Sequence, residues 1–90
     1  HSRDMWERQY FSHVNPDGKD PFDRMRAGGV RFSAAGENLA LAPDVGTAHR
    51  GLMESEGHRK NILEPDFGRI GIGVVDGGIY GKMFVQDFAD

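Results

Sequence analysis

Three side chains in this sequence have types and settings that suit chemistry: the histidines His13 and His58 and the glutamate Glu37. Imidazole titrates near neutral pH and is the commonest metal ligand, so two convergent histidines would form a metal site or an acid-base pair. Glu37 lies in the apolar stretch AAGENLALA, where a carboxylate needs a partner to offset its loss of water. That partner is either structural, a backbone amide or Arg59, or functional, a histidine or a bound cation. Asn38, beside it, suits hydrogen bonding to a loop better than reaction.

Each histidine taken alone also fits a structural role. His13 and His58 both fall near expected helix ends, where a histidine stabilises exposed carbonyl groups. His49 falls on the apolar stripe of a predicted helix, which favours a core or boundary histidine over a ligand. The histidines therefore indicate a site only in combination with each other and with Glu37.

Ser55 lies three residues before His58 and is a candidate nucleophile, as Glu37 is a candidate general base. The serine has no G-x-S-x-G surroundings, and the zinc-protease pattern H-E-x-x-H is absent from the sequence. The stretch GIGVVDGG also lacks the helix that a phosphate-binding glycine loop requires. Its glycines Gly71 and Gly73 are predicted to keep one face of a strand bare, so that another element can approach.

Composition limits the class of protein. Ninety residues with 38% apolar content can form one core, which predicts a single domain over residues 1–90. The net charge of −3 disfavours nucleic acid as a partner. Because the sequence has no cysteine, a metal site would use histidine, carboxylate or water. The apolar runs are far below the ~20 residues of a membrane span, and no signal-peptide pattern opens the chain, which we expect to be a processed product or an excised domain.

The first part of the chain predicts two short helices joined by a turn. The first runs through SRDMWERQYF with Ser2 as its N-cap, and Asn-Pro-Asp-Gly at residues 15–18 forms a turn after it. Asp20 is the expected N-cap of the second helix, which ends at Gly28 or Gly29.

The second part predicts a strand, a helix and a hairpin. FSAAGENLAL is extended, and a third helix begins at Pro43 and Asp44 and is broken by Gly57. Asp-Gly-Gly at residues 76–78 predicts an antiparallel hairpin, which favours an α+β domain with helices on an antiparallel sheet. The expected apolar positions are Val45, Ala48, Leu52 and His49 or Met53 in the helix, Ile70, Ile72 and Val74 in the first strand, and Tyr80, Met83 or Phe84, and Phe88 in the second.

Five blocks together resemble one family. They are FSH at 11–13, AGENLA at 35–40, GLMESEGHRKNIL at 51–63, IGIGVV at 70–75 and FVQDF at 84–88. In this order they strongly resemble the CAP superfamily of cysteine-rich secretory proteins, antigen 5 and pathogenesis-related 1 proteins, in particular its short bacterial SCP-like branch. The resemblance implies an α-β-α sandwich with a central antiparallel sheet flanked by helices. The family's further N-terminal helix has no counterpart here, which predicts exposed apolar surface around Met5 and Trp6.

The resemblance also implies a cleft with two histidines and two acidic residues. His13 and His58 match the histidines and are the expected metal ligands, and Glu37 matches the first acid. Ser55, flanked by Glu54 and Glu56, occupies the position of the second acid, which puts catalysis in question. The expected cofactor is a divalent cation, zinc being the first candidate, in an open site. Glu37, Ser55 and Asn38 are the expected cleft residues.

The family resemblance implies a secreted or envelope-associated domain that binds a divalent cation and a small-molecule, lipid, peptide or cell-wall ligand. One alternative is a metal-assisted, peptidase-like hydrolase in which the cation activates water and Glu37 is the general base. Such an enzyme would need a further ligand or acid from Glu54, Glu56 or His49. Another alternative is a structural adhesion module of the envelope.

Overall fold

The computed structural model describes residues 1–78 and 81–90. These residues form helices on both sides of an antiparallel sheet, which confirms the predicted α+β class. Tyr80 lies outside the described residues. In chain order the elements are α1 (Ser2–Arg8), α2 (Pro21–Ala27), β1 (Ala35–Ala42), α3 (Val45–Glu54), α4 (Glu56–Leu63), β2 (Arg69–Asp76) and β3 (Lys82–Ala89).

The sheet has the strand order β1-β3-β2, so β1 and β2 are its edges. Strands β2 and β3 form the predicted hairpin, and both neighbours of β3 run antiparallel to it. In this register Asp87 of β3 stands between Glu37 of β1 and Gly71 of β2. Because side chains alternate along a strand, Glu37 and Asp87 share one face of the sheet and Asn38 lies on the other.

Each face of the sheet has its own helices and its own core, which confirms the predicted α-β-α sandwich. Helices α1 and α2 cover the face of Glu37, while α3 and α4 cover the face of Asn38. The core on the first face contains Met5, Leu39, Met83 and Val85, and the core on the second contains Ala42, Ala48 and Phe84.

The predicted helix starts at Asp20 and Asp44 are confirmed. The Asp20 carboxylate accepts a hydrogen bond from the Asp23 amide, and the Asp23 carboxylate accepts one from the Asp20 amide, so α2 begins with a complete capping box. Asp44 accepts a hydrogen bond from the Thr47 amide at the start of α3. The turn at residues 15–18 also forms as predicted, with Gly18 at φ 78°.

Ser2 is not the N-cap of α1. It is the first helical residue, His1 precedes it, and the Ser2 side chain is buried against β2. A Cβ atom at Gly73 would lie 2.9 Å from the Ser2 Oγ, so the close approach predicted at this glycine is confirmed. At Gly71 no described atom comes within 4 Å of that position, and the prediction for it is wrong.

Gly57 does not break the third helix. Helix α3 ends at Glu54 because Ser55 is extended, with ψ 120°, and Gly57 lies inside a further helix, α4, that the sequence patterns did not predict. A glycine costs about 1 kcal/mol relative to alanine within a helix, a penalty that the contacts of α4 with β1 can offset.

The structure differs from the sequence predictions at two apolar regions, the buried stripe of α3 and the surface around Met5. Val45 is 69% exposed and His49 is exposed, so the buried stripe of α3 is narrower than predicted and rests on Ala48 and Leu52. Met5 is fully buried, contrary to the exposure expected around it. The exposed large apolar residues of the sheet are instead on its two edge strands: Leu41 on β1 and Ile70, Ile72 and Val74 on β2.

Candidate functional site

A buried ion pair holds Glu37 in place. Its side chain is only 1% exposed, and its two carboxylate oxygens accept hydrogen bonds of 2.9 Å and 3.0 Å from Arg24 Nη1 and Nη2. Helix α2 presents Arg24 to the sheet, so the capping box at Asp20 also fixes the position of the guanidinium. Two parallel hydrogen bonds make this a bidentate pair with a defined orientation. The Arg59 side chain, named as a structural partner from the sequence, is exposed and takes no part.

His13 is the second partner of this carboxylate. Its Nδ1 lies 2.9 Å from Glu37 Oε1, and Arg24 Nη2 donates to the His13 main-chain carbonyl at 2.7 Å. The imidazole is 51% exposed, so one edge of the ring is held from behind while the other edge meets solvent. A carboxylate that holds one ring nitrogen fixes the ring and orients the other nitrogen toward a ligand. Glu37 thus has both kinds of partner considered from the sequence, an arginine and a histidine.

Asp87 completes a buried group of charges behind His13. Burial alone raises the pKa of Glu37, but hydrogen bonds from Arg24, Asp87 and His13 outweigh burial and hold this pKa below its usual value. Burial also raises the pKa of Asp87, as do its hydrogen bond to Glu37 and the Glu37 charge, to about 7. The two carboxylates therefore differ in role, because Glu37 carries the negative charge and Asp87 holds a proton up to neutral pH.

Two atoms of this group lack a hydrogen-bond partner among the described residues. They are Asp87 Oδ1 and Arg24 Nε, both buried. Buried polar atoms without hydrogen-bond partners cost free energy of folding. The surrounding packing must offset this cost to keep Arg24, Glu37 and Asp87 in this arrangement.

Asn38 has a different role on the opposite face. It is completely buried, and its Nδ2 donates to the His58 carbonyl at 3.0 Å and to Gln86 Oε1 at 3.2 Å. Its Oδ1 accepts from Asn61 Nδ2 at 2.9 Å. These bonds fasten β1 to α4, so the amide is engaged within the protein and does not face a cleft.

His58 and Ser55 lie together at one end of a groove of about 440 Å³ that runs along β1. His58 is the third residue of α4, and Ser55 is the single residue between α3 and α4. Within the described residues, no hydrogen bond reaches the His58 imidazole or joins it to Ser55. The imidazole is therefore unengaged, and Ser55 lacks the hydrogen bond to a base that an activated nucleophile requires.

The predicted site residues thus form two pairs on the two faces of an edge strand. His13 with Glu37 lies on one face, and His58 with Ser55 lies on the other. Across residues 1–78 and 81–90, no three histidine, aspartate or glutamate side chains come together in a way that would hold a metal ion. The available donors, two imidazoles with a free nitrogen each, fit an open site completed by water better than a closed one.

Two residues of the buried charged group, Arg24 and Asp87, were not predicted from the sequence. Asp87 lies in the apolar stretch FVQDF, much as Glu37 lies in its own apolar strand, and that similarity was a usable signal. Only the register of β1 on β3 shows that the two carboxylates are neighbours. Arg24 gave no signal beyond its place in a capped helix.

This geometry defines a class of protein: a three-layer sandwich in which a buried carboxylate supports a histidine beside the edge strand. The family model of CAP, the cysteine-rich secretory protein family, matches residues 1–88. The chain therefore belongs to this family. The helices of the described residues are too short and too polar to cross a bilayer.

Two Bacillus subtilis proteins resemble this chain in sequence. YkwD, an uncharacterized protein, is 42% identical over 86 residues, which are 93% of this chain and 34% of YkwD. YlbC, an uncharacterized membrane protein, is 42% identical over 87 residues, which are 96% of this chain and 25% of YlbC. The chain thus spans about a third or less of the length of these relatives.

Two solved structures share the fold. An extracellular protein containing an SCP domain from Bacillus anthracis superposes with a TM-score of 0.86 at 42% identity, over 99% of this chain and 28% of that one. An outer surface protein from Borrelia burgdorferi superposes with a TM-score of 0.84 over 96% of this chain and 64% of that one. The second is 20% identical, and its likeness is one of fold alone.

Proposed function

We propose that this chain is an extracellular or envelope-associated CAP domain that binds a divalent cation, zinc first, and a further ligand beside its edge strand. The observation that carries the proposal is the His13–Glu37–Arg24 arrangement. Burying the Glu37 carboxylate in a bidentate pair with Arg24 costs free energy of folding. The effect of this arrangement is to orient the half-exposed imidazole of His13. The extracellular setting is supported by the SCP-domain protein of Bacillus anthracis, which is described as extracellular.

A cation at the β1 edge would be reached by His13 from one face and by His58 from the other, each through a nitrogen that no described residue engages. Glu37 would act through His13, since both of its oxygens already accept hydrogen bonds from Arg24. A bound cation would supply a positive charge and exchangeable water positions for a ligand.

The hydrolase alternative needs a general base that meets the attacking water. Glu37 is poorly suited to this role because its side chain is 1% exposed and tied to Arg24 and His13. Glu54, Glu56 and His49 are exposed, and none of them supplies a third ligand within the described residues. The geometry therefore supports binding over catalysis.

Zinc titration by isothermal calorimetry tests the proposal. His13→Ala and His58→Ala should each abolish most of the binding heat, while the matched control His49→Ala, on the exposed side of α3, should leave it unchanged. Equal heats in all four proteins would refute the metal site. Equal losses in all three variants would show adsorption at surface histidines instead of a defined site.

A further inference from the structure

The groove that His58 borders lies along the free edge of strand β1. Residues 39–42 all line it. Successive side chains of a strand point to opposite faces, so a cavity that touches four consecutive residues lies against the strand's edge and not against one face. Strand β1 ends the sheet on this side.

The outward main-chain groups of Leu39 and Leu41 have no hydrogen-bond partner in the part of the chain that the structure describes. Ala34 accepts a hydrogen bond from Asp90 beyond the end of β3, whereas the Glu37 carbonyl accepts one from Asn61 on the outer side. This alternation directs the N–H and C=O groups of Leu39 and Leu41 outward. Among the described residues, no hydrogen bond from another element reaches these four groups.

The walls of the groove select for a single extended chain. Helix α3 forms one wall with small residues, Ala48 and Gly51, and Phe11 stands on the other side at 52% exposure. A second apolar groove of about 340 Å³ shares Phe11 and Leu41 and adds Trp6 and Tyr10. Because the edge lies between these walls, the equally recessed edge of a second copy could not pair with it, whereas a lone strand, about 4.8 Å from β1, could.

We propose that the β1 edge binds an extended, mostly apolar peptide segment as a fourth strand of the sheet. The outward groups of Leu39 and Leu41 would pair with its backbone, and alternate side chains would enter the two grooves. The lining of the first groove is uncharged apart from His58 at one end, which disfavours a highly charged segment. The inference rests on the proposed binding function, because it names the ligand class for the same cleft.

Two glycines provide a matched pair of variants. Gly51 lines the groove and Gly57 does not, both are helical and exposed, and at neither would a Cβ atom meet a described neighbour within 4 Å. Gly51→Phe should fill the groove without disturbing the fold, and Gly57→Phe should add the same bulk elsewhere. Circular dichroism and thermal unfolding verify that both variants fold.

The probe is a phage-displayed library of random peptides about twelve residues long, selected on the wild-type domain in EDTA buffer. The selected peptides are then synthesised and their affinities measured. Their affinity for Gly51→Phe should be at least about tenfold lower than for the wild type, and their affinity for Gly57→Phe should be unchanged. N-methylation of alternate peptide amides should abolish binding in one register and leave it intact in the other. Failure to select any peptide, equal binding to both variants, or indifference to N-methylation would overturn the inference. Because EDTA removes metal from this assay, zinc calorimetry fails or succeeds independently of it.

Discussion

Two adjacent residues of β1, Glu37 and Asn38, face opposite layers of the domain and are held by different physical means. Glu37 lies in an ionic group with Arg24, Asp87 and His13, in which two buried atoms have no hydrogen-bond partner among residues 1–78 and 81–90. Asn38 lies in a neutral amide network whose hydrogen bonds fasten β1 to α4. The amide group of Asn38 has its hydrogen bonds made and joins two structural elements. The ionic group around Glu37, by contrast, contains titratable side chains and ends at the half-exposed imidazole of His13.

Removal of the Arg24 guanidinium should have the largest effect on stability of all the changes that test this contrast. Arg24→Met leaves Glu37 buried without its cation and should lower the free energy of unfolding by about 3–5 kcal/mol. Urea unfolding at pH 7 measures this loss. The double variant Arg24→Met with Glu37→Gln should regain part of it, and a double variant as unstable as the sum of the single ones would contradict a coupled pair.

The neutral side should respond less strongly. Asn38→Ala removes three hydrogen bonds of a fully buried side chain and leaves their half-buried partners unpaired, which should cost about 2–3 kcal/mol. Asn61→Ala, the control in the same network, should cost about 1 kcal/mol. Unfolding curves in urea compare the two, and an equal or larger loss in Asn61→Ala would show that the network does not centre on Asn38.

The pH dependence of stability distinguishes the two sides in another way. The pKa of Asp87 is raised from 3.8 to about 7 on folding, so the native state binds the extra proton in this range and stability falls as pH rises through it. Asp87→Asn keeps a hydrogen-bond donor toward Glu37 without the charge. It should be more stable than the wild type by about 2 kcal/mol at pH 8, and should remove this slope.

The measurement for Asp87→Asn is thermal unfolding at a series of pH values between 4 and 8. The lowered pKa of Glu37 acts in the opposite sense, since its stabilisation is present above the unfolded pKa and is lost in acid. The wild type should therefore be most stable at mildly acidic pH. Parallel curves for wild type and variant would show that Asp87 does not hold the proton.

The smallest effect is expected at the exposed end of the ionic group. His13→Ala removes a half-exposed side chain and should change stability by less than about 1 kcal/mol while abolishing zinc binding. Chemical denaturation and calorimetry on the same samples measure both quantities. A stability loss comparable to that of Arg24→Met would make His13 a structural residue.

The parts of the fold that depend on local signals could be predicted from the sequence. Asp20 and Asp44 cap helices through their own side chains, and Asp-Gly-Gly forms the hairpin, because these effects act within a few residues. Helix α4 was missed because Gly57 is a poor helix former and the packing of α4 on β1 overrides that preference.

The site was only partly predictable for the same reason. Glu37 could be found because a carboxylate is unusual in an apolar strand, and His13 and His58 because they occur together with it in the family's blocks. Asp87 carries a similar signal in FVQDF, but its role, like that of Arg24, depends on the register of β1 against β3 and on where α2 meets the sheet. Such non-local pairing has no short-range signature in a single sequence.

Gly36 adds a constraint to this strand. A Cβ atom there would lie 3.2 Å from Asn61 Oδ1 and 3.3 Å from the Phe67 ring, so the helical layer rests directly on its backbone. Gly36, Glu37 and Asn38 thus fix the register of β1 relative to the helices on both faces of the sheet. A slip of β1 by one residue would turn the carboxylate toward α4 and the amide toward Arg24, and would disrupt both layers at once.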